Sequence, residues 1–304
     1  MDRHWDHYCA LSIIHFLAFP ECLGGDGPVL DTIGRIADDD FFSAIEISRI
    51  NDAGTRRQAA SLIEQSHMGI AFSTAPVILG GRLNLNSLET DGRQHAIDTL
   101  KPYIAQAAEM GAKRFTILSG PDTARAKRPS ASLWLLESIR KLCVYGRQHG
   151  VSINLETFDR KVDKKALIGP ADEAAALSAA IKPDFPDFGI LYDMGHMPLL
   201  DESPLLALTT LKDHLVHAHV GNCVKVPGRP AYGDFHPRFG FPGGENDVPQ
   251  LVEFLRALFE IGYLRENPAV RPWVGFEMRP QEGETSTAIL ANIKRTWREA
   301  WARL

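Results

Sequence analysis

The chain has little that would connect it to a membrane or to the cell exterior. Its four cysteines include no C-x-x-C pair and form no evident disulfide framework, so we expect reduced thiols in a cytoplasmic protein. No run approaches the roughly 18 consecutive apolar residues of a membrane span. The apolar run 10–19 contains His15 and lacks the basic start and small-residue cleavage site of a secretory leader.

Positive charge is also scarce. Lys and Arg number 33 against 38 Asp and Glu, which gives a formal net charge of -5. Nucleic-acid binding needs clustered basic residues, so we expect no nucleic-acid partner. Low-complexity tracts and linkers are missing, and a length of 304 residues suits one large domain, which we expect to span residues 1–304.

Short apolar segments alternate with segments of helical period along the chain. The eight apolar, β-branched segments are 11–16, 42–47, 69–74, 115–120, 151–157, 188–193, 215–221 and 273–278. Helical spacing of apolar residues occurs in 54–66, 94–111, 132–150, 170–181, 247–262 and 284–304. This order predicts an α/β protein, with a closed (β/α)8 TIM barrel as the preferred fold. The alternative is an open doubly wound sheet, but no G-x-G-x-x-G motif follows the first strand.

Ionisable residues stand at the C-terminal ends of the predicted strands, which form the active-site mouth of a TIM barrel. In chain order the residues at these ends are His15, Glu46, Ser73, Ser119, Glu156, Asp193, His219 and Glu277. Three carboxylates and one imidazole from the last four strands would meet there, and like charges at close range need compensation. We therefore predict that these last four residues bind one divalent cation. Oxygen-rich ligands favour Mn2+ or Mg2+, and Co2+ or Zn2+ also suit the set.

The other histidines and the remaining carboxylate near these ends are less distinctive. His15 and Glu46 either line the substrate pocket or form structural pairs. His217, two residues before His219, is expected to point the other way and to be a packed histidine or a partner of a metal ligand.

One long irregular stretch, residues 222–246, lies between the seventh strand and the helix that follows it. It is rich in glycine, proline and aromatic residues, and loops of this length are usually functional. We expect it to emerge at the barrel mouth as a lid, as a wall for an aromatic group or as a docking site for a partner chain. Its Asp234-x-His236 pair either folds over the bound ligand or forms hydrogen bonds within the loop.

Four motifs at the strand ends resemble the xylose-isomerase-like superfamily of sugar isomerases and epimerases, which also contains the endonuclease IV enzymes. The motifs are 154-NLETF-158, 192-YDMGH-196, 217-HAHVGN-222 and 275-GFEMRP-280. By resemblance to the ketose 3-epimerases, Glu156, Asp193, His219 and Glu277 would bind Mn2+. The two glutamates would act as acid and base on opposite faces of a sugar, and His196 would bind a substrate oxygen.

The resemblance has two departures. Lys225 stands at the position where the epimerases have a substrate-binding arginine. The long loop, at 231–248, is similar instead to a subgroup that includes the metal-binding alpha subunits of C-glycoside deglycosidases. Those proteins act with a small beta subunit on 3-oxo sugars joined through carbon to an aromatic aglycone.

The sequence therefore predicts a metal-dependent sugar isomerase or epimerase that abstracts a proton beside a carbonyl and forms a metal-stabilised enediolate. Glu156, Glu277 and His236 are the candidate catalytic residues. His196, Lys225, Asp234, His15 and Glu46 are the candidate substrate-binding residues. Elimination is the alternative reaction, either from a 3-oxo glycoside or as the dehydration of a sugar. The sequence leaves open whether the chain forms a homo-oligomer or binds a beta subunit.

A phosphodiesterase of the endonuclease IV type is less favoured. Counting Asp234 and His236, seven residues match that family's pattern, but its three-metal cluster also needs histidines after strands three and four. This chain has the segments 72-FSTAP-76 and 118-LSGPD-122 there, without a histidine. A barrel that serves only as a structural or binding subunit is the remaining alternative.

Overall fold

Eight parallel strands pair in chain order, and the last pairs again with the first, so that the sheet closes into a barrel. The protein is described by a computed structural model over residues 3–304. The strands are β1 Ala10–Ile14, β2 Ala44–Ile47, β3 Gly69–Ser73, β4 Arg114–Leu118, β5 Ser152–Glu156, β6 Gly189–Asp193, β7 Leu215–Gly221 and β8 Trp273–Glu277. The predicted TIM barrel is confirmed, and each predicted strand segment overlaps one observed strand.

A helix follows each strand before the next strand begins. These helices are α1 Val29–Ala37, α2 Ala53–Gln65, α3 Thr90–Glu109, α4 Arg128–Gln148, α5 Ala171–Ile181, α6 Pro204–Leu211, α7 Val248–Glu260 and α8 Ser286–Ala302. Shorter helical turns occupy Trp5–His7, His15–Ala18, Pro20–Cys22, Ala75–Gly80, Arg125–Lys127 and Met197–Leu200. Within residues 3–304, no helix combines the length and apolar character needed to cross a membrane.

Two helices, α1 and α6, are not predicted from the sequence. Helix α1 buries Val29, Ile33 and Ile36, but it has only 9 residues and directly follows a Gly- and Pro-rich turn. Helix α6 is apolar on both faces, because Leu205 and Leu206 are exposed while other apolar side chains of the same helix are buried. Neither segment therefore shows a long amphipathic period, which is the main sequence signal for a surface helix.

The barrel interior is unusually polar towards the mouth. Ser12 on β1 donates a 2.7 Å hydrogen bond to the Glu46 carboxylate on β2, and both side chains are buried. On the other side of the barrel, Asn154 on β5 donates to Thr116 on β4 over 3.0 Å. TIM barrels usually fill this space with branched apolar side chains, so the buried polar groups indicate a function for the strand ends.

An aromatic cluster fastens the last helix to the barrel. Trp297 on α8 is fully buried and meets Phe276 of β8 edge-on, with ring centroids 5.4 Å apart. It stacks on Trp301, one turn further along α8, at 5.7 Å and lies 6.4 Å from Trp5 near the N-terminus. The cluster thus joins both ends of the described chain to the closing strand.

Replacing Trp297 with alanine should lower the free energy of unfolding by about 3–5 kcal/mol, because the change opens a large cavity in this cluster. Urea unfolding followed by circular dichroism measures the loss. The control is Leu206→Ala, which removes a side chain that is 69% exposed and should change stability little. Equal effects of the two substitutions would show that the cluster does not anchor α8.

Candidate metal centre

Four buried side chains converge where β5, β6, β7 and β8 end. Glu156, Asp193 and Glu277 are the last residues of their strands, and His219 pairs with Asp193 across β6 and β7. Each offers one ligand atom, and these atoms all lie within 4.8 Å of one another. The structure therefore brings together the four residues that the sequence analysis predicts as metal ligands.

The electrostatics of this group favour a bound cation. Burial raises the pKa of Glu156 well above its usual range, and the nearby Glu277 carboxylate raises it further. Burial also raises the pKa of Asp193. Among the described residues, Glu156 Oε1 and Asp193 Oδ2 find no hydrogen-bond partner. A divalent cation would satisfy both oxygens and compensate the clustered charge, so the residues present fit a metal.

His219 is oriented by carboxylates on both of its ring nitrogens. Its Nε2 lies 3.1 Å and 3.2 Å from the two Glu46 oxygens, while its Nδ1 lies 2.7 Å from Glu277 Oε2 and 3.8 Å from Glu156 Oε1. Burial opposes protonation of the ring, but Glu46 and Glu277 together raise the pKa of His219 well above its usual value. If Nε2–H donates to Glu46, the Nδ1 lone pair faces the predicted metal position, an arrangement that metal-binding histidines commonly have.

Glu46 contacts His219 at Nε2, the ring nitrogen that faces away from the predicted metal position. Its carboxylate is buried and contacts Ser12, His217 and His219. Gly275 on β8 makes room for the arrangement, because a Cβ there would overlap the Glu46 carboxylate and approach His219 Cδ2 to 2.8 Å. Of the two interpretations of Glu46, the structure favours structural pairing.

The expected direction of His217 is wrong, whereas its place as a buried histidine beside His219 agrees with the expectation. Side chains two residues apart on a strand project from the same face, so His217 and His219 both point into the barrel. His217 Nε2 lies 3.1 Å from Glu46 Oε1, and the two imidazole rings are 4.8 Å apart.

His15 lies outside the cluster. It begins the helical turn after β1, is buried, and forms a 2.8 Å hydrogen bond through Nε2 with Thr32 of α1. Burial lowers its pKa to about 4. The structure therefore gives His15 a structural pair and does not bring it to the predicted metal ligands.

The long loop brings Asp234 and His236 to the site. His236 Nε2 lies 2.9 Å from Asp234 Oδ1 and 3.3 Å from Glu277 Oε1. His196 Nε2 approaches the same Asp234 oxygen to 3.0 Å, and its Nδ1 donates to the Thr157 carbonyl over 2.7 Å. Asp234 thus joins two histidines, and both approach predicted metal ligands, since His196 Nε2 also lies 3.6 Å from Asp193 Oδ2.

Lys225, which the sequence suggests as a substrate-binding residue, lies away from the cluster, whereas Lys164, which the sequence does not suggest, lies beside Asp234. Lys225 is largely exposed and forms an ion pair with Asp201, so the structure does not bring it to the cluster. Lys164, in the loop after β5, instead lies 3.1 Å from Asp234 Oδ2. Sequence reasoning misses Lys164 because neighbouring Lys161 and Lys165 give the same signal, and only the fold distinguishes the three.

A cavity of about 490 Å3 opens onto the site. It reaches Asp234, His236 and Glu277, but His196 does not line it. Its apolar wall consists of Phe16, Leu17, Leu23, Ala75, Pro76, Leu79, Phe158 and Phe235. A second cavity of about 350 Å3 shares Leu79, Phe158 and Lys164 with the first. A groove of about 580 Å3 lies at the other end of the barrel, beside the first residues of β3, β4 and β8, away from these groups.

The sequence matches a known family over most of its length. A family model described as the xylose isomerase-like TIM barrel matches residues 37–297. The chain belongs to this family. The resemblance that the strand-end motifs indicate is therefore confirmed, whereas the similarity of the long loop to one subgroup stays a prediction. No curated protein matches the sequence.

Solved structures of this fold include enzymes with different activities. D-psicose 3-epimerase from Clostridium cellulolyticum H10, solved with D-tagatose, is 20% identical, with a TM-score of 0.67 over 96% of this chain and 91% of its own. The E. coli 3-keto-D-glucoside 4-epimerase is 15% identical, with a TM-score of 0.69 over 95% and 98%. A family 2 AP endonuclease from Brucella melitensis is 17% identical, with a TM-score of 0.68 over 94% and 98%. At identities this low, the similarity of these structures to the chain shows a shared fold alone.

Replacing Glu46 with glutamine should weaken metal binding roughly 10–100-fold, because mutation of a group that hydrogen-bonds to a metal-binding histidine usually lowers the metal affinity by this factor. Isothermal titration of the metal-free protein with Mn2+ measures the change. Glu253→Gln, an exposed substitution on α7, serves as the control. Unaltered affinity in the Glu46 variant would mean that Glu46 does not orient His219.

His15 should make the protein less stable in acid. Its folded-state pKa, about 4, lies below the ordinary value of 6.5, so the unfolded chain takes up the proton first. The stability from neutral His15 is present above pH 6.5 and is lost as pH falls towards 4, up to roughly 3 kcal/mol. Urea unfolding at several pH values measures how the free energy of unfolding changes with pH. The slope of this dependence between pH 4 and 6.5 should be shallower for His15→Gln than for the wild type. The exposed change His95→Gln should keep the wild-type slope, and equal slopes in all three proteins would contradict the assignment.

Proposed function

We propose that this protein is a divalent-metal-dependent isomerase or epimerase of a sugar that carries a carbonyl group. One observation carries the proposal: Glu156 and Glu277 place carboxylates from different strands next to Asp193 and His219 at the mouth of the barrel. Two carboxylates beside one cation are the groups that proton removal and proton return next to a carbonyl require.

The side chains have separate tasks in this reaction. A cation held by the four ligands would supply Lewis acidity to the sugar carbonyl and an adjacent hydroxyl. One glutamate then takes the proton from the neighbouring carbon, and the other returns a proton. Return to the opposite face of the same carbon gives epimerisation, and return to the adjacent carbon gives aldose–ketose isomerisation. His236, 3.3 Å from Glu277 Oε1, is placed to exchange a proton with that carboxylate.

We propose Mn2+ as the natural ion. Three carboxylates and one imidazole form a ligand set dominated by oxygen, which suits Mn2+ and Mg2+ better than softer metals. We expect that Co2+ and Zn2+ can also bind in the place of Mn2+.

A second candidate reaction has its own support. The cavity wall is largely apolar, and Phe235, between Asp234 and His236, is 46% exposed. A free monosaccharide offers little apolar surface to such a wall, whereas an aromatic aglycone would cover it. The same proton removal followed by loss of a β-substituent would cleave a 3-oxo glycoside, the activity of the C-glycoside deglycosidase alpha subunits.

Incubation of the Mn2+-loaded enzyme in D2O with a panel of ketoses and 3-oxo glucosides tests the proposal. Deuterium should enter one carbon next to the carbonyl of the true substrate, and NMR identifies both the sugar and the carbon. Release of a free aglycone would select the elimination reaction. A panel without any deuterium uptake or product would contradict the proposed activity.

The two glutamates should be needed for that exchange. Glu156→Gln and Glu277→Gln should each lower turnover by roughly 10^2–10^4-fold, the usual contribution of a positioned acid or base. Metal content is measured in the same samples so that loss of the ion is told apart from loss of the proton-transfer group. Glu253→Gln is the matched control. If both site variants turn over normally, proton removal belongs to another residue, with His236 next in line.

A further inference from the structure

Two loops are joined directly at Asp234. The ammonium group of Lys164, in the loop after β5, donates to Asp163 Oδ2 over 2.7 Å and to the Asp234 backbone carbonyl over 3.1 Å. It also lies 3.1 Å from Asp234 Oδ2. Asp163 Oδ2 in turn accepts the backbone N–H of Asp234 over 3.2 Å. Asp163 and Lys164 thus engage the backbone N–H, the backbone carbonyl and the side chain of one residue.

We call the contact of Asp163 and Lys164 with Asp234 the junction. Its β5 side is fixed by hydrogen bonds to Asp159. Asp159 is fully buried, and its carboxylate accepts the backbone N–H groups of Val162, Asp163 and Lys164 over 2.6, 2.9 and 2.8 Å. These bonds fix the turn that presents Asp163 and Lys164. Burial opposes the positive charge of Lys164, but Asp234 and Asp163 raise the pKa of its ammonium group.

The β7 side of the junction needs such support. His236 has a left-handed backbone, with φ of 49°, which is unfavourable for a residue with a Cβ and persists only where the surroundings impose it. Gly233 also has a positive φ, and a Cβ on it would lie 3.0 Å from the Asp163 side chain. The backbone at Gly233 and Asp234 therefore fits closely against Asp163.

We propose that Asp163 and Lys164 are positioning residues that fasten the long loop at Asp234 and so hold His236 against Glu277. The inference rests on the proposed function for its catalytic meaning, because His236 matters to the reaction only if Glu277 transfers protons. Lys164 lines the cavity, yet its ammonium group already donates to Asp163 Oδ2 and to the Asp234 carbonyl and lies 3.1 Å from Asp234 Oδ2. It should therefore act on turnover through His236 and make no direct contact with the sugar.

Lys164→Met removes the junction and keeps much of the side-chain volume. Hydrogen exchange of the backbone amides in 232–238, measured by mass spectrometry, should become faster, while bound Mn2+ stays at the wild-type level. With the substrate from the D2O panel, kcat should fall roughly 10–100-fold, the usual effect of an outer partner, and KM should change little. Lys164→Arg should restore part of both properties, and the exposed neighbour change Lys161→Met should alter neither.

Wild-type exchange rates in the Lys164→Met variant would overturn the proposal. A raised KM with unchanged kcat would also overturn it, because Lys164 would then bind substrate directly. If Lys164→Met does not fold, Asp163→Asn replaces it, because this is a milder change at a partly exposed residue. Hydrogen exchange of the backbone amides in 232–238 should again become faster, and wild-type rates would again overturn the proposal. If the wild-type enzyme acts on none of the sugars, the proposed function fails, but the exchange measurement still decides whether the junction holds the loop.

Discussion

The arrangement of the site follows from the cost of burying three carboxylates within a few ångströms of each other. Glu156, Asp193 and Glu277 are placed there by the ends of three parallel strands, and a carboxylate oxygen of each lies within 4.8 Å of the others. Like charges in a buried environment are tolerated only with a compensating cation or with protons. His219, the fourth predicted ligand, and its carboxylate partner Glu46 contribute to the same charge balance. Glu46 affects both the protonation and the orientation of the His219 ring.

The strands and the loops contribute differently. The strand ends fix the four predicted ligands, and structures with this fold include two sugar epimerases of different substrates and an AP endonuclease. The barrel therefore supplies a place for chemistry without choosing the reaction. The choice must come from the loops around the mouth, here the apolar cavity wall and the junction between Asp234 and the Asp163–Lys164 pair.

Local patterns in the sequence predict the fold and the convergence of the four candidate ligands. Eight apolar segments mark the strands, and residues at the last four ends meet because parallel strands carry their C-terminal ends to one side. What the sequence misses depends on contacts between distant segments. Helix α6 has no amphipathic period, and Lys164 is indistinguishable from Lys161 until its contact with Asp234, 70 residues away, is known. The error over His217 is of another kind, since the two-residue repeat of a strand already places it beside His219.

The central claim is that the four converging side chains hold one divalent cation, with His219 binding through Nδ1. Anomalous diffraction from crystals of the protein grown with Mn2+ tests this most directly. The account predicts one strong peak at the mouth, about 2.0–2.5 Å from carboxylate oxygens of Glu156, Asp193 and Glu277 and from Nδ1 of His219. No peak among these residues at full Mn2+ loading, or ligation of His219 through Nε2, would contradict it.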